Sequence, residues 1–320
     1  MQLTTSFPIP PAPVLMNHQS RVLTMGSCFA ASMGERLSKL PLEVMMQPLG
    51  TLFHPFAITR ALSGEISEDL YEHGGYFLHP DYHSLFTASS SSELLADIRS
   101  VATEVSSFVR SADYLFLTWG TSFSYFDKHL NKTVANCHKM PADRFEKRLS
   151  TVEELVSDFH SLLSTLPSTT QVVLTVSPVR HTKDGMPENQ VSKSTLRVAA
   201  DIVSKKFENV HYFPAYEIML DELRDYRFYE ADMIHPNDQA QEYIWERFMS
   251  TYFDNELLSI SKRWDSIYRT LGHRPHPAKL IDHRRVLEVL LAELNSEKYQ
   301  EIDTCKIAEY VAHEIKNTYI

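Results

Sequence analysis

The stretch RVLTMGSCFAASMGERL, Arg21 to Leu37, puts a cysteine directly after Gly-Ser, where an apolar run gives way to a helical pattern. A strand that ends in a tight turn and feeds a helix is a favourable seat for a nucleophile. Backbone N–H groups at the helix start point outward there and stabilise negative charge. Ser27 and Cys28 are both candidates, against the plainer reading that Gly-Ser-Cys only turns the chain or buries a small thiol. Acyl transfer at neutral pH also needs a base within hydrogen-bond reach and donors aimed at the developing oxyanion. The segment ADMIHPN offers the base. Asp232 and His235 lie three residues apart just before a helical pattern, so one turn can aim both at the same place. Asp232 would orient the imidazole while His235 takes the proton. The same residue types also suit a helix-capping turn.

Other polar groups are placed to shape a substrate. Arg180 and His181 follow an apolar strand pattern, where an arginine can clamp a carboxylate or phosphate bidentately. Arg180 can equally pair with Asp184 or Glu188. Asn136, His138 and Lys139 leave a loop and are expected to lean over the same opening, with Tyr226 and Tyr229 near Asp232. His54, His79 and His83 form no metal-binding spacing, and with 15 histidines in 320 residues chance clusters are expected. No metal or cofactor is therefore expected.

These residues need elements to hold them. Arg21 to Met25 reads as a short buried strand, and Ala30, Met33, Gly34 and Leu37 share one face of a following helix. Leu42 to Met46 predicts a second strand and Phe56 to Leu62 a helix. Gly64 to Thr87 shows no period and reads as a long loop or insertion. A serine-capped helix then leads to the strand DYLFLTW, a hairpin or loop around NKTVANCHKMP, and an amphipathic helix from Ala142 to Leu166. TQVVLTV and NVHYF supply two more strands around a helix from Val191 to Phe207, and a last helix of this series runs to Phe253. Strands alternating with helices imply a parallel sheet covered on both faces, with ligands bound beyond the carboxyl ends of the strands. Gly26-Ser27-Cys28, Gly50, Gly120-Thr121-Ser122 and Ser177 to His181 all fall at such ends.

Composition narrows the class of function. A net charge of -10 without a dense basic cluster argues against nucleic acid, and no apolar run is long enough to cross a bilayer. Three widely spaced cysteines and an N-terminus without a signal pattern fit a reducing cytoplasm. The expected division is a domain over residues 1–254 and a helical extension over 255–320, the latter a candidate surface for a homo-oligomer.

The motifs MGSCFAASMGERL, LFLTWGTSF, NCHK, SPVRHTKDG, DELRDYRFYEADMIHPN and YIWERF, in this order over Arg21 to Phe253, resemble the GSCFA family, which is similar to SGNH (GDSL-like) hydrolases. The resemblance implies a three-layer α/β/α sandwich with a five-stranded parallel sheet in flavodoxin-like order. It also implies roles. In the Gly-Asp-Ser block of those hydrolases the serine is the nucleophile. Gly26-Ser27-Cys28 aligns without a gap, which favours Cys28 and keeps Ser27 as the alternative if the turn is shifted by one. A thiol at a helix start beside a histidine is expected to have a lowered pKa. Gly50 and Gly120 correspond to oxyanion-hole positions, and Ser122 stands where an asparagine donor is usual. Asp232 and His235 match the last block fully. The expected activity is that of an esterase or acyltransferase on an ester or thioester, an acylated carbohydrate included. The competing expectation, favoured by the substitutions at Ser27 and Ser122, is a binding or scaffolding protein with an inactive pocket.

Overall fold

In the computed structural model, which describes residues 4–317, five strands form one parallel sheet. β1 (Arg21–Gly26) leads through α1 (Cys28–Ser38) to β2 (Glu43–Met46). After α2 (Pro55–Ser63) comes a small antiparallel sheet of β3 (Tyr71–His73), β4 (Tyr76–Leu78) and β5 (Thr87–Ala88). α3 (Ser91–Val109) returns to the central strand β6 (Tyr114–Trp119). A second antiparallel sheet follows, with β7 (Phe123–Asp127) between β8 (Lys132–Val134) and β9 (Phe145–Leu149). Then come α4 (Val152–Leu163), β10 (Gln171–Val176), α5 (Met186–Lys206), β11 (Val210–Tyr212), the single turn α6 (Ala215–Glu217) and α7 (Asp238–Tyr252). α8 (Asn255–Gly272), α9 (Leu280–Leu294) and α10 (Cys305–Asn317) complete the described chain.

The main sheet runs β11-β10-β6-β1-β2, the flavodoxin-like order. Alternate residues feed opposite faces. Val22, Tyr114, Phe116 and Val173 pack with α1, α7 and α8, whereas Leu23, Leu115, Leu117, Val172 and Leu174 pack with α2 to α5. Burial on both faces explains why these strands read as continuous apolar runs instead of alternating ones.

Two expectations about the insertions are corrected. The Gly64 to Thr87 segment holds the three strands β3 to β5, too short to show a period in sequence. The helix expected from Ala142 to Leu166 is instead a 3₁₀ turn at Ala142–Arg144, the strand β9, and α4. Thr151 and Glu154 form a reciprocal capping box that starts α4 only there. Among the described residues, no helix is long and apolar enough to cross a membrane.

The C-terminal helices share a core with the sheet. Leu257, Ile260, Trp264, Ile267, Leu287 and Val311 belong to the same apolar cluster as Phe29, Phe116, Trp245 and Phe248.

Candidate active site

β1 ends at Gly26, whose φ of +138° suits only glycine, and a Cβ there would lie 2.2 Å from the Thr118 carbonyl oxygen. Gln47 pins the turn that follows. Its Oε1 accepts from the Gly26 N–H at 3.2 Å, and its Nε2 donates to the carbonyls of Gly26 at 3.2 Å and Ser27 at 2.9 Å. Ser27 turns inward. It is fully buried, and its Oγ caps α1 by accepting the Phe29 N–H at 3.4 Å. Ser27 is thus a capping residue, and the shifted-turn alternative loses its nucleophile.

Cys28 is the first residue of α1 and is partly exposed. Burial pushes its thiol pKa up, which corrects the expectation of a lowered value. The positive charge of Lys193 and the N–H groups of Cys28 and Phe29 oppose that rise without cancelling it. Lys193 had no part in the sequence expectations. It is 1% exposed on the sheet-facing side of α5, and its Nζ donates to the carbonyls of Gly120 at 2.7 Å and Ser177 at 2.8 Å. Burial pulls its pKa down to about 7, and the nearby Cys28 sulfur draws it back up.

The Asp232–His235 pair forms as the spacing predicts. Asp232 Oδ1 accepts from the Ile234 N–H at 2.8 Å and the His235 N–H at 3.1 Å, while Oδ2 meets His235 Nδ1 at 2.7 Å. The His235 hydrogen bond, aided by the two backbone donors, lowers the Asp232 pKa to about 2. An ionised carboxylate only accepts, so the Nδ1 proton lies on the imidazole and Nε2 is left as the basic nitrogen. The pair is about half exposed, at 47% and 45%.

Arg180 braces this loop and pairs with neither Asp184 nor Glu188. Its N–H donates to the Ile234 carbonyl at 3.2 Å, its Nη1 to the Met233 carbonyl at 3.3 Å, and its guanidinium lies 3.8 Å from the Tyr229 ring centre. Asp184 instead pairs with Lys147. His181, the next residue, sets its ring edge-on to Phe53 at 5.5 Å and leaves a buried Nε2 without a partner. Burial first, then Lys193, lowers its pKa to about 4, with His235 adding to the effect against Asp184. His181 is therefore neutral near pH 7 and lies within electrostatic reach of both Lys193 and His235.

The expected oxyanion donors are otherwise engaged. The Gly50 N–H donates to the Gln47 carbonyl at 2.9 Å and the Gly120 N–H to the Phe53 carbonyl at 2.8 Å. Ser122 is buried, with its Oγ donating to the Ser192 carbonyl at 3.1 Å and its N–H to Ser192 Oγ at 2.8 Å. Asn136 and His138 are also structural. Asn136 Oδ1 accepts the His138 N–H at 2.9 Å, and both ring nitrogens of the buried His138 are engaged, by Ser84 Oγ at 3.2 Å and the His79 carbonyl at 2.8 Å. His54 caps α2 and meets Ser150 Oγ at 3.1 Å, and its burial lowers its pKa to about 3. Among the described residues, no three His, Cys, Asp or Glu side chains converge as metal ligands.

The frame that carries Cys28, Gln47, Lys193 and the Asp232–His235 loop coincides with a family match over residues 21–248, to the model described as GSCFA family. The chain belongs to the GSCFA family. No curated protein matches it significantly. The GSCFA segment includes every candidate residue above and ends within α7, before the helices that complete its core. Beside it, a cleft of about 590 Å³ runs between α1, α7 and α8, lined by Ser32, Glu35, Arg36, Gln241, Trp264 and Asp265. Ser32 stands one helical turn after Cys28.

Proposed function

We propose that the protein is a thiol-dependent acyl hydrolase or acyltransferase acting on an ester or thioester. Cys28 Sγ attacks the acyl carbon, and His235 Nε2, oriented by Asp232, takes the thiol proton. The bond to the leaving oxygen or sulfur then breaks, and His235 returns the proton to it. Water or an acceptor hydroxyl attacks the resulting thioester and frees the cysteine. The observation that carries this reading is the hydrogen bond from the Arg180 N–H to the Ile234 carbonyl, which ties the Asp–His loop to the exit of β10. β10 is separated from β1, the strand leading to Cys28, by β6 alone.

A second reading, a binding protein on the same frame, is favoured by the engaged amides of Gly50 and Gly120. Turnover of short-chain acyl esters and thioesters separates the two. Cys28→Ala is expected to abolish turnover, and His235→Ala to lower it by about 10²–10⁴. Ser27→Ala is expected to keep turnover and lose about 1 kcal/mol of stability with its helix cap. Full turnover by Cys28→Ala would refute the thiol mechanism, and absence of turnover in the unaltered protein across both substrate classes would leave the binding reading in its place.

A further inference from the structure

Lys193 is out of place by every packing rule. It occupies the sheet-facing stripe of α5 with Ser192, Leu196, Ala199, Ala200 and Val203, where an apolar side chain would continue the core. A buried ammonium without a charged partner is costly. Two carbonyl oxygens satisfy its hydrogen bonds but do not neutralise it, and among the described residues no carboxylate forms an ion pair with it. Burial draws the amine toward its neutral form, and a negative sulfur at Cys28 draws it back toward the ammonium.

The sheet sets where the two groups lie. Gly26 of β1 lies opposite Thr118 of β6, which lies opposite Thr175 of β10. Past the strand ends the Ser27 N–H donates to the Thr118 carbonyl at 3.2 Å and the Ser177 N–H to the Trp119 carbonyl at 2.9 Å, so the residue before Cys28 and the carbonyls of Gly120 and Ser177 leave the same edge of the sheet. An amino group bonded to the carbonyls of both Gly120 and Ser177 sits at that edge, within electrostatic reach of Cys28 at the start of α1. Two of its N–H bonds are fixed by those carbonyls, and neither takes the third.

We propose that Lys193 is the positioning residue that sets the charge state of Cys28, its amino group, held by the Gly120 and Ser177 carbonyls, stabilising the thiolate when itself protonated. This rests on the reading of Cys28 as nucleophile and deepens it. The thiol proton leaves to His235, and the negative sulfur in turn holds the proton on Lys193 against its burial. The coupling is mutual, since each group shifts the other toward its charged form. The other titratable groups around the lysine are His181, held neutral by burial, and Tyr216, whose ring centre is 5.9 Å from Nζ and whose phenol burial keeps protonated. Beyond them stand His235 and Asp184, which act on His181.

The test needs no substrate, so it fails or succeeds separately from the acyl-transfer reading. In a Cys137→Ser, Cys305→Ser background, the rate of iodoacetamide alkylation at Cys28 is followed against pH by intact mass. Lys193→Met should move the inflection up by about one unit or more, a roughly tenfold loss of thiolate at a given pH below it. Lys193→Arg, which keeps the charge, should restore most of that shift. A folded Lys193→Met with an unchanged profile would overturn the proposal. Should that variant fail to fold, ¹³Cε-lysine NMR reads the unaltered lysine instead. Its titration midpoint should fall in Cys28→Ser, and an unmoved midpoint would equally overturn the proposal.

Discussion

Burial and the start of α1 pull the Cys28 thiol in opposite directions, and burial wins in the resting protein. Attack therefore depends on groups that remove the proton and hold the charge, which makes His235 and Asp232 the residues to test. Asp232 has its pKa depressed to about 2, so it stays ionised down to well below pH 4. Its hold on His235 is present above the ordinary carboxylate range and is lost only as pH falls toward 2. The acidic limb of a pH–rate profile should then not report Asp232. Asp232→Asn can keep the backbone bonds at Oδ1 but loses the charge that fixes the imidazole tautomer. It is expected to lower kcat/KM by about 10²–10⁴ with an unchanged melting temperature, measured on the best acyl ester. Unchanged turnover would show that the pair only shapes the loop. The Asp232–His235 pairing and the seat of Cys28 at the start of α1 were legible because residue type and local spacing carry them. Gly50, Gly120 and Ser122 misled because an amide's availability depends on which carbonyl lies opposite it, which residue type does not encode. Lys193 had a signal that went unused, a charge in the apolar stripe of a predicted helix.

Among the elements, the loop from Tyr226 to Pro236 is the one held most by side chains. Its own bonds include the Glu230 N–H to the His235 carbonyl at 2.8 Å, and Arg180 anchors it to β10 through Met233, Ile234 and Tyr229. Arg180→Leu keeps the backbone bond but removes the guanidinium bond and the ring stack. The expected loss is about 1–2 kcal/mol, concentrated in this loop. Limited proteolysis should show faster cleavage between Tyr226 and Pro236 while the rest of the chain stays resistant; cleavage no faster there would mean the loop stands without its brace. The central strands β1, β6 and β10 were legible because burial on both faces writes them as apolar runs closed by Gly or Pro. β9 was not, because FEKRL is nearly all exposed and its strand state comes from pairing with β7, a contact remote in sequence. The bracing role of Arg180 was hidden for the same reason: its partners, near residue 230, are distant along the chain.

For the molecule as a whole, the boundary expected at residue 254 does not coincide with an edge of the core. The family match stops at residue 248, yet α8 buries Leu257, Ile260, Trp264 and Ile267 against the α1 and α7 face of the sheet. Full burial of such side chains contributes roughly 1.5–3 kcal/mol each, so the four together supply about 6–12 kcal/mol before α9 and α10 are considered. That is comparable to the entire stability of an ordinary domain, about 5–15 kcal/mol. It also bears on the candidate nucleophile, because α1 carries Cys28 at its start and Phe29, Met33 and Leu37 in this same cluster. A chain ending at Asp254 should therefore lose its cooperative thermal transition, bind a hydrophobic dye, and alkylate at Cys28 without the pH profile of the full chain. A sharp melt within a few degrees of the full-length protein would instead make the C-terminal helices an independent appendage, and the shared cluster a contact of little energetic consequence.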